Sequence, residues 1–508
     1  MSRLRRLLPP VLLAAAGAFA MPVLACDSGR VFVDRDGDAR EEAGDAGLAG
    51  VVVSDGTGLV QTDAAGRYRG LSGEAGIVFV VKPPGYRLPR DGALPAFWRA
   101  SRASGLETLV FSDPQTTSIE EVGYYDRAIV DAAAGGPRAR LGLTLGDVTN
   151  DDPALYAAIN AATARLDTPW LHAPGNHDLD FDASGDPAST ASYRHVFGPE
   201  TYAWEEPQAS FLVLDNVVYQ PGEQSAYVGG LREDQFAFIE AYLASARRDR
   251  LLVVAAHVPW FDTAEAGRPP TVRAADRARL FALLAEFPQV LLLTGHRHTQ
   301  QHVFHGAASG WHGATPLHEY NVGAASGAFW SGAKDADGIP DATMADGTPH
   351  GFARLQIDRD GAYRLAWQPA RLSPDDPSTT AAMALHAPKV LRRGAYPAWG
   401  VYANVYMGQA DTRVEFRIDE GEWQPMRRVA RPDPRLVLEN ARDDQSDRLR
   451  GRDRSPEAVP STHLWRGALA TELETGPHQV EVRAFDAWHG EQRARIGYRL
   501  DDFDEPTK

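Results

Sequence analysis

Cysteine is almost missing from this chain of 508 residues: the single one is Cys26. No internal disulfide can form, so a packed core must hold the fold. Long apolar runs are missing beyond the first 25 residues, so no later segment reads as a membrane span. Positive charge is in deficit, with 52 Lys and Arg against 68 Asp and Glu, a formal net charge of −16. An acidic surface argues against nucleic acid as a partner. It also repels anions at long range, so binding of a phosphate would depend on local cations. No fixed-period repeat is present.

The N-terminus has the make-up of an export signal over residues 1–25. Arg3, Arg5 and Arg6 precede an apolar stretch from Leu7 to Ala20, and Val23-Leu24-Ala25 ends on a small residue. The expected location is therefore the periplasm or cell envelope, or the medium after secretion. Cys26 at the junction reads equally as the acylated first residue of a lipoprotein or as a leftover thiol. A lipid anchor there is the one expected contact with a membrane.

A chain of this length exceeds one core, and 47 Gly with 35 Pro suit turn-rich β modules. Residues 27–95 read as a β-sandwich module, with strand-like Arg30-Val31-Phe32-Val33, Gly50-Val51-Val52-Val53 and Ile77 to Val81. Within it, Asp34, Asp36 and Asp38 have roughly the spacing of a calcium loop, although Ala39 stands where the loop glycine belongs. A solvated acidic turn is the slightly favoured reading. Residues 383–501 return to β alternation, as in Val414-Glu415-Phe416-Arg417-Ile418. Asn440 to Ser455 reads as an exposed charged loop. Between the modules, residues 106–370 alternate strand and helix patterns, which implies an α/β core. Helices are expected from Ser118 through Ala134, over a segment whose Leu231, Phe236, Ile239 and Leu243 share one face, and from Ala274 to Glu286. Gly332 to Gly351 reads as a long loop, functional or merely mobile.

Five short apolar runs of this core each end in a residue that can hold a metal. They lead into Ser112-Asp113-Pro114-Gln115, Gly146-Asp147, Gly175-Asn176-His177-Asp178, His257 and Gly295-His296-Arg297-His298. Runs rich in Val and Leu read as buried strands, and ligands just past strand ends converge on one rim of a sheet. Cleaving a phosphate ester requires charge neutralisation at the phosphoryl oxygens and a nucleophile at neutral pH. Two divalent metals about 4 Å apart supply both.

The order and wording of these motifs resemble the calcineurin-like metallophosphoesterase superfamily over about residues 106–325. Over nearly the whole chain they resemble an exported bacterial subgroup with a β module on each side. Asn321-Val322-Gly323-Ala324-Ala325-Ser326-Gly327 and Asp346-Gly347-Thr348-Pro349 look like words of that subgroup. The resemblance implies an α/β catalytic core of two mixed β-sheets packed face to face and flanked by helices, between two all-β sandwich domains. Strand–helix alternation alone suggests a doubly wound sheet instead. The resemblance also implies hydrolysis of a phosphoric ester by a hydroxide held between two metals. One metal would take Asp113, Asp147, His298 and Gln115. The other would take Asn176, His257 and His296, with Asp147 bridging. His177 would stabilise charge and protonate the leaving oxygen, with Asp178 orienting it. Gln115 stands where His is usual. An amide oxygen in that place shifts the expected metals towards Mn²⁺, Fe²⁺ or Mg²⁺ and away from tight Zn²⁺.

Around this set, His318, Asn321, Ser326 and Trp330 are candidates for lining the substrate cleft, Trp330 equally a core residue. His172 reads as packed. The substrate is expected to be a phosphorylated small molecule, lipid or envelope component. Two rival readings are a non-enzymatic surface-binding protein with a degenerate metal site and a metal hydrolase of another bond class.

Overall fold

Eleven strands between Gly105 and Pro369 build the central core, numbered here in chain order. They are β1 (Gly105–Phe111), β2 (Leu141–Leu145), β3 (Trp170–Ala173), β4 (Tyr202–Glu205), β5 (Ala209–Val213), β6 (Leu251–Ala255), β7 (Val290–Thr294), β8 (Gln301–His305), β9 (Leu317–Asn321), β10 (Gly351–Asp358) and β11 (Tyr363–Pro369). One sheet runs β3-β2-β1-β10-β11 and the other β4-β5-β6-β7-β9-β8. In the first, β1, β2 and β3 are parallel while β10 and β11 are antiparallel. In the second, β5, β6, β7 and β9 are parallel, with antiparallel edges β4 and β8. Both sheets are therefore mixed.

This computed structural model describes residues 28–34, 41–72, 77–87, 98–99, 105–223, 226–264, 270–373, 375–396 and 398–503. The export signal, Cys26, Asp36 and Asp38 lie outside the described residues. Asp34 is buried.

The sheets pack face to face through Val110, Leu143 and Leu355 on one side and Phe211, Val253 and Leu293 on the other. The opposite faces are covered as well. Leu252, Val254 and Leu292 meet Phe236, Ile239, Leu280 and Phe281 from helices Glu233–Ser245 and Ala274–Leu284. Leu109 and Phe111 meet Tyr125, Ile129 and Ile159. Burial on both faces explains why the strands read as unbroken apolar runs and not as alternation. The doubly wound single sheet that alternation suggested is thus replaced by two layers. Ser118 caps Ile119–Tyr125 through its hydroxyl, which accepts from Glu121 N, and a wider turn at Asp126–Val130 carries the helix on to Ala134.

The N-terminal strands form small sheets around Val31, Val51, Val53 and Leu71. They meet the core where buried Lys82 pairs with Glu206 at 2.6 Å. The C-terminal segment has two sheets of four and five strands with Val401, Phe416, Trp465 and Val482 between them. It is not all-β. Helix Pro434–Asp444 starts at Asp433, whose carboxylate accepts from Arg435 N, and it occupies the first part of the expected loop.

The segment Gly332–Gly351 is a long loop with no helix of its own, exposed over residues 334–337 but packed over much of the rest. Ile339, Ala342, Met344, Asp346 and Thr348 are buried, and the segment joins the core to the C-terminal sheets. Asp346 accepts from Gln300 N at 2.8 Å and lies 3.1 Å from His463 Nε2, while its carbonyl accepts from Asn404 Nδ2.

Candidate metal centre

The parallel strands β1, β2 and β3 of one sheet and β6 and β7 of the other release their ligand residues at one rim. The chain must turn sharply there. Asp113, Gln115, Asp147, His296 and His298 all adopt left-handed backbones, with φ of 49°, 41°, 49°, 71° and 48°. Each costs a non-glycine residue roughly 1–2 kcal/mol, and strain of this kind gathers where the surroundings enforce a functional geometry. The neighbouring glycines allow close approach. A Cβ on Gly175 would sit 2.1 Å from Asp147 Oδ1, and one on Gly295 would sit 2.0 Å from Ser112 Oγ.

Asp147, His257 and His296 bring one ligand atom each within 4.8 Å of one another. Asn176 Oδ1 lies 3.0 Å from His257 Nε2, and His296 Nδ1 lies 3.2 Å from that same nitrogen. His257 Nδ1 donates to the Leu145 carbonyl at 2.8 Å, which leaves Nε2 facing the cluster. Beside it, Asp113 Oδ1 lies 3.5 Å from His298 Nε2. His298 is oriented in the same way, with Nδ1 donating to Gly327 O at 2.6 Å. Gln115 donates its amide nitrogen to Asn150 Oδ1 at 3.2 Å, while its buried Oε1 has no hydrogen-bond partner among the described residues. A buried acceptor without a donor is costly in an empty site and suits a cation. These oxygen and imidazole donors therefore fit a pair of divalent metals.

The electrostatics agree with a site built for positive charge. Burial works to raise Asp147, but the facing His257 holds its carboxyl well below the usual range. Burial works to lower His257, yet Asp147 and Asp113 outweigh it and push the imidazole up to about 9. Asp113 is likewise held low, against its burial, by His298.

His177 is 29% exposed at the mouth, and its backbone N donates to Asp147 Oδ1 at 2.8 Å. Its ring partner is Asp151, Oδ1 to Nδ1 2.8 Å, and not Asp178. Asp178 is fully buried and accepts from Val148 N, Gly175 N and the Tyr156 hydroxyl, so it ties the loops behind the site together. Burial and the Asp147 charge push it up to about 7. Sequence reasoning missed Asp151 and Asn150. The available signal was the polar run Thr149 to Asp152 directly behind Asp147.

The cleft candidates separate. Ser326 is buried beside the site, with its N donating to Asp113 O at 3.1 Å. Asn321 donates to Thr299 O at 2.8 Å and so braces the loop bearing His296 and His298. Trp330 is a core residue and not a cleft wall: it is fully buried, with Nε1 donating to Pro114 O. His318 is also no cleft residue. It lies three positions back along β9, bonded to His302 and Tyr363 and stacked with Phe304 and Trp488. His172 packs on Phe197.

Two family models match the chain. One, the N terminal of calcineurin-like phosphoesterase, covers residues 36–113, and the other, the C terminal of calcineurin-like phosphoesterase, covers residues 319–492. Among solved structures, the chain is similar to purple acid phosphatase PPD1 from yellow lupin (Lupinus luteus) seeds, at 13% identity and TM-score 0.38. That match covers 64% of this chain and 68% of that one. It is also similar to GAP50, the anchor in the inner membrane complex of Plasmodium, at 13% identity and TM-score 0.34, covering 53% and 86%. No curated protein matches in sequence.

Proposed function

Because the chain belongs to the calcineurin-like phosphoesterase superfamily, we propose that it is an exported metal-dependent hydrolase of a phosphoric ester. The observation that carries this reading is the gathering of Asp113, Gln115, Asp147, Asn176, His257, His296 and His298 at one rim from five separate strands. Two divalent metals, when bound, supply charge neutralisation at the phosphoryl group and an acidified water. Asp113, Gln115 and His298 would hold one, Asn176, His257 and His296 the other, and Asp147 both. The oxygen-rich first set favours Mn²⁺, Fe²⁺ or Mg²⁺ over Zn²⁺.

The chain's own groups do the rest. Leu145 O and Gly327 O fix two imidazoles, so each presents its Nε2. His177 stands at the mouth with Nδ1 donating to the Asp151 carboxylate, so in the doubly protonated ring Nε2 is the nitrogen that gives a proton to the leaving oxygen. Arg297, exposed between the two ligand histidines, supplies a local cation in an acidic protein. The substrates that fit an exported enzyme are envelope polymers, phospholipids and scavenged organophosphates. The membrane contact proposed is a lipid on Cys26, read out by intact mass of the mature chain.

The test is metal content by elemental analysis together with hydrolysis of aryl phosphomonoesters and phosphodiesters in Mn²⁺. About two metals per chain with turnover supports the reading, and the ratio of the two ester types narrows the substrate. A chain that binds no metal and turns over neither ester is not this enzyme.

A further inference from the structure

The turn from Ser326 to Ser331 forms one side of the rim, and its two aromatic residues are placed in opposite ways. Trp330 is fully buried and anchored on Pro114 O at 3.0 Å. Phe329 is 58% exposed, yet its ring lies on the His298 imidazole, with centroids 4.4 Å apart and 26° between planes. Both backbones are left-handed, with φ of 56° and 53°. That conformation is a steric outlier for a bulky residue. A single exposed apolar side chain signifies little by itself. Here a strained, anchored turn holds an exposed phenyl ring against the buried imidazole of His298, a proposed metal ligand. The other imidazole of the Gly295-His296-Arg297-His298 turn also has an aromatic neighbour: Tyr227 stands edge-on to His296 at 6.0 Å.

We propose that Phe329 is a stacking platform for the leaving group. The enzyme would then favour phosphoric esters whose leaving group carries a flat π face, an aryl ring or a nucleobase, over aliphatic esters. One face of the Phe329 ring is taken by His298, and the outer face matches a second flat ring in shape and quadrupole. A glycerol or alkyl chain cannot cover that face as well. The inference rests on the phosphoesterase reading above and adds the substrate class to it.

The experiment measures kcat/KM for phenyl phosphate, adenosine 5′-monophosphate and glycerol 3-phosphate with the Mn²⁺-loaded full chain. Aryl esters are intrinsically more reactive, so the readout is the change in each flat-to-glycerol ratio on substitution, in which that reactivity cancels. In Phe329→Ala at least one ratio falls about tenfold, within the roughly 5- to 160-fold that base stacking on an aromatic is worth. A fall for phenyl phosphate alone assigns an aryl group, and a fall for the nucleotide alone assigns a base. Phe329→Asn tolerates the left-handed backbone, so it shows the same fall without loss of stability. Phe329→Trp keeps the ratios, as does Tyr396→Ala, an 84% exposed ring in the C-terminal segment. Unmoved ratios in both the Ala and Asn variants, with metal content intact, overturn the proposal. Failure of the metal-loaded wild type to hydrolyse these three monoesters and the aryl phosphodiesters alike would instead remove the phosphoesterase reading.

Discussion

Two neighbouring acids in the Asn-His-Asp word and the loop behind it have different tasks, and only their partners reveal which. Asp178 is closed off by backbone N–H donors, while Asp151 faces the His177 ring. His177→Ala is expected to lower kcat roughly 10²- to 10⁴-fold, the usual worth of a general acid. Asp151→Asn should lose about tenfold of that, with the loss varying across the pH profile of kcat. Asp178→Ala should instead lower the melting temperature by several degrees, at roughly 1–3 kcal/mol for stranded buried donors. Equal melting temperatures for the Asp151 and Asp178 variants would count against this division. Asp147→Asn removes the carboxylate proposed to hold both metals. It should reduce turnover to background and metal content below two per chain, while circular dichroism stays that of the wild type. At this scale the sequence displayed every proposed ligand, because each sits in a recognisable word. It could not display which acid turns to which imidazole, since Asp151 and His177 lie 26 positions apart.

The elements that matter are strands that stop at one rim and glycines that let their tails cross. A Cβ on Gly175 would meet Asp147 Oδ1 at 2.1 Å and Asp147 N at 2.2 Å, and the backbone has no room to yield. Gly175→Ala is therefore expected to cut metal content and activity together, by at least about tenfold in affinity, as disturbance around metal ligands commonly does. Titration calorimetry with Mn²⁺ checks this. The strands were legible because burial on both faces leaves a continuous Val/Leu run, and the main helices because their apolar faces repeat. The segment Gly332–Gly351 is the loop that its Asp, Gly and Pro suggested, but composition carries no sign that much of it is buried. Its carboxylate Asp346 is buried against Gln300 and His463, and Gly347 passes Asp433 so closely that a Cβ would lie 2.4 Å from it.

At the scale of the whole molecule, the C-terminal sheets are fastened to the catalytic core and do not hang beside it. Arg452 reaches back to Glu121 and to Thr117, two residues past Gln115, and Val459 N donates to Ala345 O. Asp346→Ala should loosen this junction, at about 1–3 kcal/mol for each buried donor left without its acceptor, and expose the chain near residue 345 to limited proteolysis. Acid should also weaken the fold. Burial pushes His350 down to about 4, against an ordinary value of 6.5. Its neutral form is the native one, so its contribution is complete above about pH 6.5. That contribution is lost as pH falls towards 4, where the unfolded chain binds the extra proton. His350→Leu is expected to flatten part of the fall in melting temperature between pH 6.5 and 4.5. The slope is the readout, because the lost bond to Asp341 O does not depend on pH. What the sequence determined by itself was the local vocabulary: buried strands, the residue types at their ends, the dearth of cysteine, the acidic balance. Those follow from neighbours in the chain. Only the tertiary structure decided the second sheet layer, the Asp151–His177 pairing, the burial of Trp330 and His318, and the display of Phe329. Each depends on contacts between segments far apart in sequence, and periodicity and motif spacing carry no record of those.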